Sequence, residues 1–157
     1  MSVDTRISSD ALPVQVASDW LHASAGASGA VVLFSGLVRD ERGDVSLLAL
    51  EHYPGMSERV LAELAEQVMA VWPLQRVLAW HRVGTMAPGE VIVLVGVASA
   101  HREAAFEAAS CLMDLVKTRV PLWKRVQGAG GMQWVDARDK DLAAAARWAD
   151  RFPLPGQ

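Results

Sequence analysis

The run from Arg76 to Pro121 limits the fold more than any other part of the chain. Two apolar segments, Arg76 to Val83 and Val91 to Ala98, flank a turn containing Ala87-Pro88-Gly89. Apolar, β-branched segments bounded by Gly and Pro predict two strands joined as a hairpin. Ser99 is placed to cap a helix that follows at once, from about Ala100 to Arg119. That helix has to end before Pro121, because proline disfavours helical geometry at the residue preceding it. Helical spacing puts Phe106, Ala109, Leu112, Met113 and Val116 on the face predicted to be buried.

The rest of the chain supplies short elements around this unit. Pro13 opens a helix to about Ala23. Ala25 to Gly29 then leads into the apolar run Ala30 to Val38, a buried strand that ends at Arg39. A polar turn, Asp40 to Asp44, precedes a strand through Tyr53. Pro54-Gly55 breaks the chain before a helix from about Ser57 to Trp72, with Val60, Leu61, Leu64, Val68 and Val71 as its apolar stripe. Beyond Pro121, strands at Leu122 to Gln127 and Met132 to Asp136 flank a glycine-rich turn, and an Ala-rich helix from about Arg138 to Trp148 closes the chain. Strands and helices mix without strict alternation and hairpins recur, which predicts an α+β domain rather than a doubly wound sheet. With 157 residues, 52% of them hydrophobic, the chain suits one domain over 1–150 with a loose tail over 151–157.

A formal net charge of −3 argues against a general nucleic-acid or membrane-surface binder, so any anion site has to be a local cluster. Met1 to Asp10 is polar and lacks a signal core, and no apolar run reaches the ~18 residues of a membrane span, which predicts a soluble cytoplasmic protein. Cys111 is the single cysteine, so no intrachain disulfide or cysteine-based zinc site can form. Its place inside a helical pattern predicts a buried apolar role. His22, His52, His81 and His101 show no metal-ligand spacing, and neither a metal nor a cofactor is expected.

Basic residues gather in three segments at element ends: Gly36-Leu-Val-Arg39, Ser99-Ala-His-Arg102, and Lys117 through Arg125. His101 and Arg102 fall in the first turn of a helix, where free backbone N–H groups attract a phosphate, although a solvated His-Arg pair has the same pattern. Lys117 ends a polar stripe of Glu103, Glu107, Ser110 and Asp114, and spacing alone pairs it with Asp114 on a solvated face. Lys124 by itself reads as an outward lysine on an amphipathic strand.

The combined motifs Glu-His-Tyr-Pro-Gly-Met (51–56), Trp-Pro-Leu (72–74), His-Arg-Val-Gly (81–84), Ser-Ala-His-Arg (99–102) and the Lys117 to Lys124 segment with Pro-Leu-Trp-Lys are specific. Over Gly29 to Trp148 the chain resembles the molybdopterin synthase catalytic subunit family. The resemblance implies an α/β hammerhead-type fold with a mixed, largely antiparallel sheet, and a homodimeric core that binds two small ubiquitin-like carriers to make a heterotetramer. It implies a sulfurtransferase that moves sulfur from the carrier's C-terminal Gly-Gly thiocarboxylate to cyclic pyranopterin monophosphate, forming the dithiolene of molybdopterin. Carried over by motif, Lys117 and Lys124 are the catalytic lysines, and Arg39, His101 and Arg102 belong to the substrate pocket. Leu37, Val38, Arg125 and Val126 flank them and act mainly through backbone position.

The chemistry suits the composition. A chain without a persulfide-forming thiol has to receive sulfur already activated on another molecule. The enzyme then supplies cations for phosphate and developing oxyanions, and a proton donor, tasks that lysine can perform. Fifteen residues separate Arg102 from Lys117, so at ~1.5 Å per helical residue their backbones lie ~22 Å apart. A small pterin cannot readily span that distance within one chain, which predicts a composite site across a twofold homodimer. Two rival readings use the same residues: a noncatalytic anion-binding scaffold, and single-stranded nucleic-acid binding by Trp123 with Lys117, Arg119, Lys124 and Arg125.

Overall fold

The computed structural model describes residues 1–40, 43–135 and 139–152. In chain order the elements are β1 (Ser2–Ser8), α1 (Val14–His22), β2 (Ala30–Leu37), β3 (Leu47–His52), α2 (Met56–Val71), β4 (Leu74–Arg82), β5 (Gly84–Met86), β6 (Val91–Ser99), α3 (Arg102–Arg119), β7 (Leu122–Gly128), β8 (Gly131–Val135) and α4 (Asp139–Ala146). They form two four-stranded sheets, ordered β1-β4-β6-β2 and β5-β3-β7-β8. Among the described residues only β1 and β4 pair in parallel, and the other pairs are antiparallel, consistent with the α+β class.

The central strands of the first sheet, β4 and β6, are buried on both faces, which explains why they read as almost unbroken apolar runs. Val77 and Ala79 of β4 and Val93, Val95 and Val97 of β6 face α2 and α3. The alternate residues Leu78, Trp80 and Leu94 pack with Ala17 and Leu21 of α1. A third, smaller cluster joins Val38, Leu48, Leu50 and Met86, with Val126 and Ile92 packed against it.

The structure adds to some expectations and corrects others. Met1 to Asp10 carries β1, whose polar composition hides an edge strand in register with β4 from Ser2 opposite Arg76 to Ser8 opposite Arg82. The hairpin of β4 and β6 exists, but its connection contains β5, which leaves the first sheet to pair with β3. Ser99 is the last residue of β6, and its hydroxyl donates to Pro73 O at 2.9 Å; the residue capping α3 is His101, with no side-chain cap bond. Of the predicted α3 stripe, Ala109, Leu112 and Val116 are buried and Met113 is half-buried, but Phe106 is 65% exposed, because the buried face turns towards Ala105, Ala108, Cys111 and Leu115. Val71 is likewise exposed, at the end of α2. Residues Asp136 and Arg138, assigned to element ends, and 153–157 lie outside the described residues. Arg151 and Phe152, at the start of the predicted tail, are packed: Phe152 is buried and stacks on Trp72 at 5.8 Å between ring centroids.

His81 gives the fold a pH dependence. It is buried in β4, its Nδ1–H donates to Arg82 O at 2.8 Å, and burial holds its pKa below the ordinary 6.5. The unfolded chain therefore binds a proton in a range where the folded chain does not. Its stabilising contribution is complete above ~6.5 and is lost as pH falls from there towards the lowered folded value. His81→Gln should flatten the part of the slope that urea unfolding detects between about pH 7.5 and about pH 5.5. An unchanged slope would refute the assignment.

Candidate active site

Two of the three basic segments meet at one end of the molecule. A bulge between Gly36 and Leu37 shifts the register of β2 against β6. Beyond it Leu37 is 53% exposed, Val38 is buried, and Arg39 is exposed. Val38 is held by its own N–H to Glu90 O at 2.9 Å and by Gly89 N–H to its carbonyl at 2.8 Å. Lys124 lies directly opposite Leu50 of β3, and Leu50 shares a cluster with Val38. Strand alternation thus sets Lys124 on the inward face of β7 with Leu122 and Val126, half-buried, rather than outward.

Lys117 reaches the same end through α3, which starts where β6 stops and packs back along β6 and β2. Between the two lysines the chain turns at Pro121. Ser57, fully buried at the start of α2, fixes this turn: its hydroxyl donates to Pro121 O at 2.8 Å and accepts from Tyr53 N–H at 2.9 Å. The expected Lys117–Asp114 pair does not form. Asp114 accepts from Arg147 and from Trp148 Nε1, each at 2.8 Å, while Lys117 Nζ lies 3.0 Å from Asp141 Oδ1 on α4.

His101 and Arg102 are exposed at the opposite end of α3. The start of β2 is beside them, since Gly29 N–H donates to Ser99 O at 3.0 Å, whereas Arg39 follows the far end of that eight-residue strand. At ~3.3 Å per residue this places Arg39 ~25 Å from the His101 end. One chain therefore assembles Leu37, Val38, Arg39, Lys117, Lys124 and Val126, but leaves His101 and Arg102 apart from them.

Arg125 belongs to the other face of β7. It pairs with Glu51 across the strands and lies over the Trp134 ring at 5.0 Å. That face borders an open groove of about 560 Å³ lined by Glu51, His52, Tyr53, Pro54, Trp123 and Trp134. Trp123 and Lys124 thus serve opposite faces of β7, and Arg125, the cation that shares the Trp123 face, is paired with Glu51, which weakens the joint stacking and charge of the nucleic-acid reading. Cys111 is fully buried, and burial, with Asp114 nearby, pushes its thiol up to about 12, so it is not a thiolate nucleophile near neutrality. Sequence reasoning missed Asp141, which no local spacing connects to Lys117.

The family model described as MoaE protein matches residues 7–119, a span that includes Arg39, His101, Arg102 and Lys117. The chain belongs to the MoaE family. It is 52% identical over 131 residues to the molybdopterin synthase catalytic subunit of Escherichia coli, covering 82% of this chain and 87% of that one. Among solved structures, the MoaE protein of Burkholderia ambifaria superposes with a TM-score of 0.81 at 38% identity, covering 94% and 99% of the two chains. A chain from the complex of subunits 1 and 2 of the Helicobacter pylori molybdopterin-converting factor has the same fold, with a TM-score of 0.69 at 18% identity over 87% and 91% of the two chains. Among the described residues, no helix is long and apolar enough to cross a membrane.

Proposed function

We infer that this chain is the catalytic subunit of a molybdopterin synthase, a sulfurtransferase of molybdenum cofactor biosynthesis. It takes sulfur from the C-terminal thiocarboxylate of a small ubiquitin-like carrier and installs it on cyclic pyranopterin monophosphate. The observation that carries this reading is the meeting of Arg39, Lys117 and Lys124 at one end of a MoaE-family fold. Three cations there suit an anionic phosphate and the oxyanions that develop during transfer. Cys111 is buried, and burial pushes its thiol up to about 12, which supports a sulfur that arrives on a partner. A lone reduced thiol also fits a cytoplasmic location.

The separation of His101 and Arg102 from the lysines supports a homodimer in which each pocket draws His101 and Arg102 from one protomer and Lys117 and Lys124 from its partner. Two carriers then complete a heterotetramer, each threading an extended glycine tail, whose backbone can approach the lysines closely. Arg39, His101 and Arg102 hold the phosphate, and Lys117 and Lys124 supply charge and a proton to the leaving oxygen. Purified protein given thiocarboxylated carrier and cyclic pterin should yield the dithiolene product. Absence of product with a carrier that supports a known synthase overturns the reading and leaves a binding scaffold.

A further inference from the structure

The polar stripe on α3 is a docking track for the C-terminal segment. Arg151 Nη1 donates to Glu107 Oε2 at 3.0 Å. Arg147 Nη2 donates to Ser110 Oγ at 2.7 Å and to Asp114 Oδ2 at 2.8 Å. These contacts order residues 151, 147 and then 141 along positions 107, 110–114 and 117, so α4 runs antiparallel to α3 and brings Asp141 to Lys117. Trp148, edge-on to Trp72 at 5.9 Å, and Phe152 stacked on Trp72 clamp the far end apolarly. No residue of α4 itself is buried, so the helix is placed by these contacts and not by a core face of its own.

Within the ion pair the two partners are unequal. The Asp141 side chain is 15% exposed and that of Lys117 54%, so the carboxylate is the fixed member and the ammonium extends towards solvent. Asp141 also lies in the first turn of α4, where a helix N-terminus favours an acidic side chain. The preceding strand completes the arrangement: Val135 of β8 pairs with Lys124 of β7. One C-terminal segment therefore touches both lysines, along β8 for Lys124 and through a carboxylate for Lys117.

We propose that Asp141 is a positioning residue that fixes Nζ of Lys117 for sulfur transfer. The proposal rests on the reading of Lys117 as a catalytic lysine. An ammonium has three N–H donors on a flexible four-carbon stem. One donor held by Asp141 restricts that stem and leaves two for the substrate. Without the carboxylate the same charge samples many rotamers, and misplacement by about 1 Å can cost on the order of 10²-fold in rate.

The test uses the complete two-subunit enzyme with cyclic pterin and thiocarboxylated carrier. Asp141→Asn keeps the shape and removes the charge; kcat should fall by about tenfold to about 10²-fold with pterin KM unchanged. Asp141→Glu should recover much of the rate, and the Lys117→Ala/Asp141→Asn double variant should be no slower than Lys117→Ala. Circular dichroism should show α4 and the fold retained in each variant. A wild-type kcat for Asp141→Asn beside a strongly impaired Lys117→Ala overturns the proposal and leaves the catalytic reading standing. A double variant much slower than Lys117→Ala, or an Asp141→Glu no better than Asp141→Asn, also overturns it, because Asp141 then acts by a route other than Lys117. A wild-type kcat for Lys117→Ala overturns the catalytic reading itself, and the proposal with it.

Discussion

Lys117→Ala and Lys124→Ala are each expected to slow sulfur transfer by about 10² to 10⁴-fold, the usual worth of a general acid or base. The fold should survive both changes. Lys117 is half-exposed in the last turn of α3, and its ion pair with Asp141 is of the partly solvated kind that contributes at most ~1 kcal/mol to stability. Lys124 is half-buried on β7, between Leu50 and Val135, and its removal leaves the cluster of Val38, Leu48 and Met86 intact. Arg39→Ala and Arg102→Ala should act differently, raising pterin KM, since a charge-assisted phosphate contact contributes ~1.5 to 3 kcal/mol in ground state and transition state alike. Single-turnover rates at saturating pterin separate the two classes. If both lysine variants reach the normal rate at saturation, the lysines bind substrate and do no more.

Mixing Arg102→Ala chains with Lys117→Ala chains should restore activity that neither variant has alone, at a pterin concentration where both parents are inactive. In a composite site the mixed dimer has one pocket with both lesions and one with neither. Random pairing then returns about a quarter of the wild-type activity, because half the dimers are mixed and each has one intact pocket. The expectation follows from α3 itself, a continuous helix from Arg102 to Arg119 that holds these two residues ~22 Å apart in one protomer. No recovery, with subunit exchange confirmed by mass, would mean that each site is built within a single chain.

Much of this protein is written in local pattern. The apolar runs that became β2, β4 and β6, the amphipathic stripes of α2 and α3, and the break imposed by Pro121 depend on residues a few positions apart, and each element lies within a few residues of its expected place. Cys111 was legible for the same reason: its place in the α3 pattern predicted the buried position it occupies. The motif segments that carry the family resemblance also held candidate residues, His101, Arg102, Lys117 and Lys124 among them.

Pairing and docking across the chain were not legible. Ser2–Ser8 is polar and becomes a strand only because the open edge of β4 offers hydrogen bonds to it, some seventy residues away. The three residues of β5 look like part of a turn until β3 takes them into the other sheet. Lys124 reads as an outward lysine on its own strand; the register with Leu50 turns it inward. The stripe of Glu107, Ser110 and Asp114 reads as a solvated helix face, and only the docking of α4 makes it a track that delivers Asp141 to Lys117. The sequence by itself determined the elements and the residue types available for chemistry, because propensity, periodicity and turn geometry act over a few residues. The tertiary structure alone decided which face each lysine uses and what it touches, because those depend on strand register and helix docking between segments that share no local signal.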